Sequence, residues 1–161
     1  MEAWSNFSLG ELGAAAALAG LLFVSISVNQ VQILELGRMA DRGLEALTVL
    51  FLVIVVTSLI LVPGQPVRPL GVEIAAAGGA VMAVIFALQK AYLRDLEPIY
   101  QAPSKLIAWF NRLAVALTAL AGLAIVWRND TTGLYLLPLS ILLCFLGAGA
   151  NAWVLLIEIK R

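Results

Sequence analysis

The sequence predicts an all-α integral membrane protein, a bundle of five transmembrane helices that forms one domain over residues 1–161. Apolar stretches occupy about residues 12–34, 44–62, 70–93, 106–127 and 134–157. Each approaches the ~20 residues that a helix needs to cross a ~30 Å hydrocarbon core. Charged residues make up 12% of the chain, against about 25% in a typical soluble domain. No separate soluble domain is therefore expected.

The basic residues predict the orientation of the bundle, because short loops rich in Lys and Arg stay in the cytoplasm. With five spans, eight basic residues fall on one side and only Arg68 and Arg128 on the other. The eight are Arg38, Arg42, Lys90, Arg94, Lys105, Arg112, Lys160 and Arg161. The N-terminus is expected outside and the C-terminus in the cytoplasm.

The first span is expected to be a retained helix, since it exceeds the length of a signal-peptide core and is preceded by Glu2 and Glu11 instead of basic residues. At about 100° per residue, it carries a sector of small side chains and a sector of polar ones. The small sector holds Gly13, Ala16, Ala17, Gly20, Val24 and Ser27, and the polar sector holds Ser25, Asn29 and Gln32. Both sectors are expected to be buried against other helices.

Residues 13–29, GAAAALAGLLFVSISVN, combine a Gly/Ala run with LLFV and then Ser and Asn. This stretch resembles the first helix of small uncharacterised bacterial polytopic membrane proteins. The resemblance covers about a fifth of the chain and implies a bacterial inner-membrane protein. No activity is attached to that group, so no functional residue carries over to this chain.

The first helix is expected to continue into a solvated cytoplasmic turn, where the alternating charges from Glu35 to Glu45, including Arg42, form local ion pairs. The second span is almost uniformly apolar and is expected to face lipid. Pro63, Pro66 and Pro69 then predict an extended turn.

The third span is expected to begin near Glu73, where the helix dipole favours an anion, and to pack closely through Ala77 and Ala80. Pro98 and Pro103 are expected to break the chain before the fourth span, which Ser104 would cap. In the fifth span, one narrow sector holds Ser140, Cys144, Gly147, Asn151 and Glu158.

Polar residues recur on all five spans at a similar depth, about 6 to 9 Å inside the cytoplasmic boundary. They are Asn29, Thr48, Gln89, Asn111 and Asn151. They could hydrogen-bond to one another and fix helix packing, at about 0.6 kcal/mol per contact. Alternatively, some of them could line a narrow hydrated constriction. The sequence leaves both interpretations open.

Several classes of function are disfavoured by the residues themselves. The chain has no histidine and one cysteine, Cys144, so no enzymatic activity, cofactor or metal site is expected. No carboxylate is expected at the middle of a span, which disfavours a proton relay. Five spans also cannot divide into the two equal inverted halves of many transporters.

The leading functional hypothesis is a homo-oligomeric channel or pore for ions or a small solute. Its wall would be formed by Ser25, Asn29 and Gln32 with Ser140, Asn151 and Glu158, near Gln89 and Asn111 of the polar layer. Its copies would pack through Gly13, Gly20, Ala77, Ala80 and Gly147. The alternative is an accessory subunit of a larger membrane complex. The expected partners are lipid and other membrane subunits, and no nucleic acid.

Overall fold

The computed structural model describes residues 2–35, 39–95 and 98–157, and these residues are helical apart from short turns. The helices are α1 (Glu2–Val28), α2 (Gln30–Glu35), α3 (Met39–Ile60), α4 (Val67–Asp95), α5 (Pro98–Arg128) and α6 (Leu137–Ile157), with a 3₁₀ helix over Thr132–Leu136. All of the α-helices except α2 are long and apolar enough to cross a membrane. The expectation of five apolar spans is confirmed, and they indicate a multi-pass membrane protein.

Helix α3 lies at the centre of the bundle, where it packs against α1, α4 and α6. Its most apolar stretch is 56% buried, the largest share among the five spans. Val49, Val53 and Val56 are all inaccessible to solvent or nearly so. The expectation that this span faces lipid is therefore wrong. A helix that is apolar all round suits a position with neighbours on several sides.

Helix α1 lies at the edge of the bundle, and only 17% of its most apolar stretch is buried. It packs against α3, and its buried residues include Ala15, Ala19 and Leu22, spaced as one helical face. Gly13 and Gly20 are exposed, and a Cβ atom on either would meet nothing within 4 Å. The small-residue sector of this span is therefore exposed in the single chain. The expectation that both of its sectors are buried is wrong.

Several helix boundaries differ from the predicted ones. Helix α1 ends at Val28 and a turn at Asn29 separates it from α2, so the first helix is not continuous. Helix α4 begins at Val67 and includes Pro69 in its first turn, where the missing N–H has no helical acceptor to lose. Helix α5 begins at Pro98, so Pro103 lies inside the helix. Ser104 therefore does not cap it.

Helices α4 and α5 approach each other closely through glycines. A Cβ atom added to Gly78 would lie 2.8 Å from the backbone nitrogen of Ala119, and one added to Gly71 would lie 2.9 Å from the carbonyl oxygen of Gly122. Ala77 is partly buried against the core, whereas Ala80 is exposed. The contact surface of α4 thus depends on glycine, which lets two backbones meet where lipid provides no hydrophobic drive.

Gly78→Ala is expected to destabilise the bundle by about 1 to 3 kcal/mol, because the new methyl group collides with the α5 backbone. The matched control is Gly79→Ala, the next residue of the same helix, where an added Cβ meets nothing within 4 Å. Both changes raise helix propensity by about 1 kcal/mol. Thermal unfolding in detergent measures the difference. Equal melting temperatures for the two variants would contradict the close approach.

Candidate functional site

One buried carboxylate joins three helices of the bundle. Glu45 lies six residues after Met39, the start of α3, and is fully buried. Its Oε1 atom accepts hydrogen bonds from Gln89 Nε2 at 2.6 Å and from Asn111 Nδ2 at 2.7 Å. Gln89 belongs to α4 and Asn111 to α5. Two of the four amides predicted at one depth, Gln89 and Asn111, therefore meet at a carboxylate that was not among the predicted site residues.

Gln89 uses both ends of its side-chain amide. Its Nε2 also donates to the Ala108 carbonyl at 3.2 Å, and its Oε1 accepts from Arg112 Nε. The Arg112 guanidinium lies over the Phe86 ring, 4.4 Å from its centroid. The Arg112 guanidinium is thus held by the Gln89 amide and the Phe86 ring. Gln89 in turn links it to the Glu45 carboxylate.

A second arginine, Arg42, lies on α3 three residues before Glu45. Arg42 is almost fully buried, with 3% of its surface exposed, and its guanidinium carbon is 5.6 Å from the centre of the Tyr92 ring. The Tyr92 side chain lies close enough to Glu45 to interact with its carboxylate. The expectation that Arg42 and Glu45 occupy a solvated turn is wrong. We call the residues Arg42, Glu45, Gln89, Tyr92, Asn111 and Arg112 the Glu45 cluster.

The Glu45 cluster leaves several buried polar atoms without a hydrogen-bond partner. They are Glu45 Oε2, Asn111 Oδ1, the Tyr92 hydroxyl and Arg42 Nε. Asn151 on α6 is also fully buried, and neither polar atom of its side chain has a partner. Buried polar groups of native proteins are nearly all hydrogen-bonded, either to the protein or to ordered water. The region therefore holds hydrogen-bonding capacity that the chain itself does not use.

Ser140, another predicted site residue, is hydrogen-bonded between α5 and α6. Its Oγ donates to the Ala114 carbonyl at 2.7 Å and lies 2.6 Å from Thr118 Oγ1. All three residues are buried. Because every polar group in this contact has a partner, it has the properties of an interhelical contact that stabilises packing.

Among the predicted site residues of the first span, Asn29 forms its side-chain hydrogen bond within its own segment. Asn29 Nδ2 donates to the Ser25 carbonyl at 2.9 Å, and Thr48 of α3 similarly bonds to its own helix at the Leu44 carbonyl. The side chain of Gln32 and the whole of Glu158 lie outside the described part of the chain, as do Arg38, Lys160 and Arg161. Ser25 and Asn29 make no hydrogen bond to Ser140 or Asn151.

Gly147 lies where α6 meets Asn111. It is buried, and a Cβ atom added to it would collide with Asn111 Oδ1. It also borders an apolar cleft of about 230 Å³ lined by Leu106, Ile107, Phe110, Leu146, Gly147 and Ala150. Asn151 follows one turn later on the same face of α6. The missing side chain at position 147 therefore leaves the space that the Asn111 amide occupies.

The chemistry available to this site is that of one carboxylate with amides, a phenol and two guanidinium groups. Within residues 2–35, 39–95 and 98–157, no three His, Cys, Asp or Glu side chains come together to hold a metal ion. No model of a known protein family matches the sequence, and comparison with curated proteins and with solved structures gives no significant match. The function must therefore be inferred from the site itself.

Gly147→Ala is expected to displace the Asn111 amide and weaken its hydrogen bond to Glu45, lowering stability by about 1 to 3 kcal/mol. Gly149→Ala is the matched control on the same helix, since an added Cβ there meets nothing within 4 Å. Thermal unfolding in detergent compares the two. If Gly147→Ala is as stable as its control, the Asn111 side chain does not lie against α6.

Proposed function

We propose that this protein is a small homo-oligomeric channel that passes ions or a small solute through a bacterial inner membrane. The Glu45 cluster and Asn151 form its polar constriction. Its N-terminus lies outside and its C-terminus in the cytoplasm, as the distribution of basic residues indicates. It performs no chemical reaction.

The unused hydrogen-bonding capacity around Glu45 is the observation that carries this proposal. Polar residues that serve only to hold helices together gain by finding partners, as Ser140 and Thr118 do. Asn151 has none for either polar atom, and Asn111 and Glu45 each leave one oxygen without a partner. Groups with such free hydrogen-bonding capacity can act as temporary ligands for a passing species.

The position of the cluster supports a constriction near the cytoplasmic side. Glu45 lies about 9 Å along α3 from its first residue, at 1.5 Å per residue. Gln89 and Asn151 each lie six residues before the ends of α4 and α6. Lys90 and Arg94, which are exposed, follow Gln89 towards that end of α4. The species would therefore meet a basic entrance and then the buried polar groups.

Assembly through α1 is supported by its exposed face of small residues. Gly13 and Gly20 have open space in front of them, and small residues are what transmembrane helices place at mutual contacts. In the channel the neighbour is a second copy. The same face favours a second candidate function, an accessory subunit that docks on the helices of a different membrane protein.

Asn151→Leu is expected to reduce flux at least about tenfold while preserving or raising thermal stability. The substitution removes two polar atoms that have no partner and places an apolar side chain in the constriction. Flux is measured in proteoliposomes with a panel of salts and small solutes. Asn6→Leu, at an exposed position of α1, is the matched control.

Correctly assembled wild-type protein that passes no species of the panel would refute the channel. Flux that survives Asn151→Leu but is lost in Asn29→Leu would instead place the constriction on the polar sector of α1. Thermal unfolding of each variant shows whether a loss of flux merely reflects a loss of fold.

Gly20→Leu is expected to reduce the oligomer to smaller particles without changing the stability of the single chain, because a Cβ atom added at Gly20 would meet nothing within 4 Å. Gly79→Leu is the matched control at another open, exposed glycine. Particle mass after gentle detergent extraction gives the result. Particles of one chain only, in wild type and variant alike, contradict the oligomer, and a stoichiometric second protein supports the accessory subunit.

A further inference from the structure

We propose that a groove between α4 and α5, at the end of the bundle where α4 ends and α5 begins, binds the phosphate headgroup of an anionic phospholipid. The inference goes beyond the proposed function and does not rest on it, because lipid binding is measured without any flux. The groove is formed by two aromatic and three basic side chains. We call Phe86, Lys90, Lys105, Trp109 and Arg112 the basic groove.

The basic groove is made by one face of α4 and one face of α5. Phe86 and Lys90 are one helical turn apart on α4 and therefore share a face. Lys105 and Arg112 are seven residues apart on α5, close to two turns, and also share a face. The Arg112 guanidinium lies 4.4 Å from the centre of the Phe86 ring. This contact brings the two faces together along one groove.

The register of α4 and α5 brings their lysines to similar heights. The two helices run antiparallel, as their glycine contacts show, and Gln89 of α4 donates to the Ala108 carbonyl of α5. Lys90 follows Gln89, so it lies at the height of the residue before Ala108. That height is two residues, about 3 Å along the helix axis, from Lys105. Lysines from both helices can therefore approach one phosphate group.

The basic groove lies on the outer surface of the bundle. Phe86 is 48% exposed and Trp109 is 65% exposed, and Trp is enriched where a membrane meets water. Lys90 and Lys105 are exposed and Arg112 is partly exposed. Lys90 thus borders both this groove and the entrance proposed above. In a membrane, long basic side chains on such a surface extend their charged ends to the headgroups.

The charge of the two helices complements an anionic headgroup. Helix α5 contains no Asp or Glu, and α4 contains none between Glu73 and Asp95. The stretch that forms the groove is therefore basic on both helices. Basic pockets between transmembrane helices suit anionic lipid headgroups. The exposed aromatic side chains beside the cations favour a lipid over a free phosphate ion, since they offer apolar contact to acyl chains.

Arg112 connects the basic groove to the Glu45 cluster. Its Nε atom donates to Gln89 Oε1, and Gln89 Nε2 donates to Glu45. A guanidinium has five N–H donors, and the four on its terminal nitrogens match the geometry of phosphate oxygens. A lipid phosphate can therefore bind Arg112 while the bond to Gln89 is kept. The bound lipid would hold the guanidinium in the position from which it supports the Gln89 amide.

Quenching of Trp109 fluorescence by brominated lipid shows which lipid occupies the groove. The full chain is reconstituted with Trp4, Trp127 and Trp153 each replaced by Phe, so that Trp109 is the sole tryptophan. The bilayer is phosphatidylcholine with brominated acyl chains. Unbrominated phosphatidylglycerol should relieve the quenching at least about fivefold more effectively than unbrominated phosphatidylcholine. Equal relief by the two lipids overturns the proposal.

Lys90→Gln and Arg112→Gln are each expected to lower this preference about fivefold, because each removes one basic side chain from the headgroup. Arg68→Gln is the matched control, since it removes an exposed cation from the opposite end of α4 and should leave the preference unchanged. Lys90 is exposed, so its variant keeps the test decisive if Arg112→Gln does not fold. An undiminished preference in folded Lys90→Gln overturns the proposed site.

The same titration in sodium phosphate and in sodium chloride of equal ionic strength separates a lipid headgroup from a free phosphate ion. A preference for phosphatidylglycerol that is retained in both salts supports the lipid. A preference that is abolished by phosphate alone would show that the groove takes the free ion and would overturn the choice of occupant.

Discussion

The hydrogen bonds that Gln89 and Asn111 donate to Glu45 are the interaction on which the described structure depends most. A carboxylate inside a membrane span is costly, and it persists only when it is paired or hydrogen-bonded. Both donors must therefore reach the same oxygen, at 2.6 and 2.7 Å. This requirement fixes the rotation of α4 and α5 about their own axes and their height relative to α3.

The glycine contacts between α4 and α5 are consistent with that requirement. Gln89 lies eleven residues after Gly78, and Asn111 lies eleven residues before Gly122. Eleven residues are close to three helical turns, so each glycine shares a helix face with its amide. The faces that bring the two backbones together at one end therefore also bring both amides together at the other. Close packing and polar recognition are thus parts of one interface.

The sequence predicted the number and type of the spans because apolar length is a local property, and it placed Gln89 and Asn111 at one depth. It could not identify the central helix, since α3 is apolar all round and offers no distinct face. Glu45 follows Arg42 and Asp41, a pattern typical of a solvated turn, and its burial results from tertiary packing alone. Glu45 lies four residues before Val49 and eleven before Val56, and both valines are buried. These spacings place the three residues on one face of α3. The sequence could not mark that face as the buried one, because every face of this span is apolar. The early starts of α4 and α5 were missed because prolines in or near a first helical turn do not end a helix.

Solid-state NMR of the protein in lipid bilayers tests the central claim most directly, because it reads the contacts of the Glu45 carboxyl without any substitution. With ¹³C and ¹⁵N labels, the carboxyl carbon of Glu45 should show strong dipolar couplings to the side-chain amide nitrogens of Gln89 and Asn111. A Glu45 carboxyl that couples to water and lipid headgroups, and to neither amide, would contradict the account.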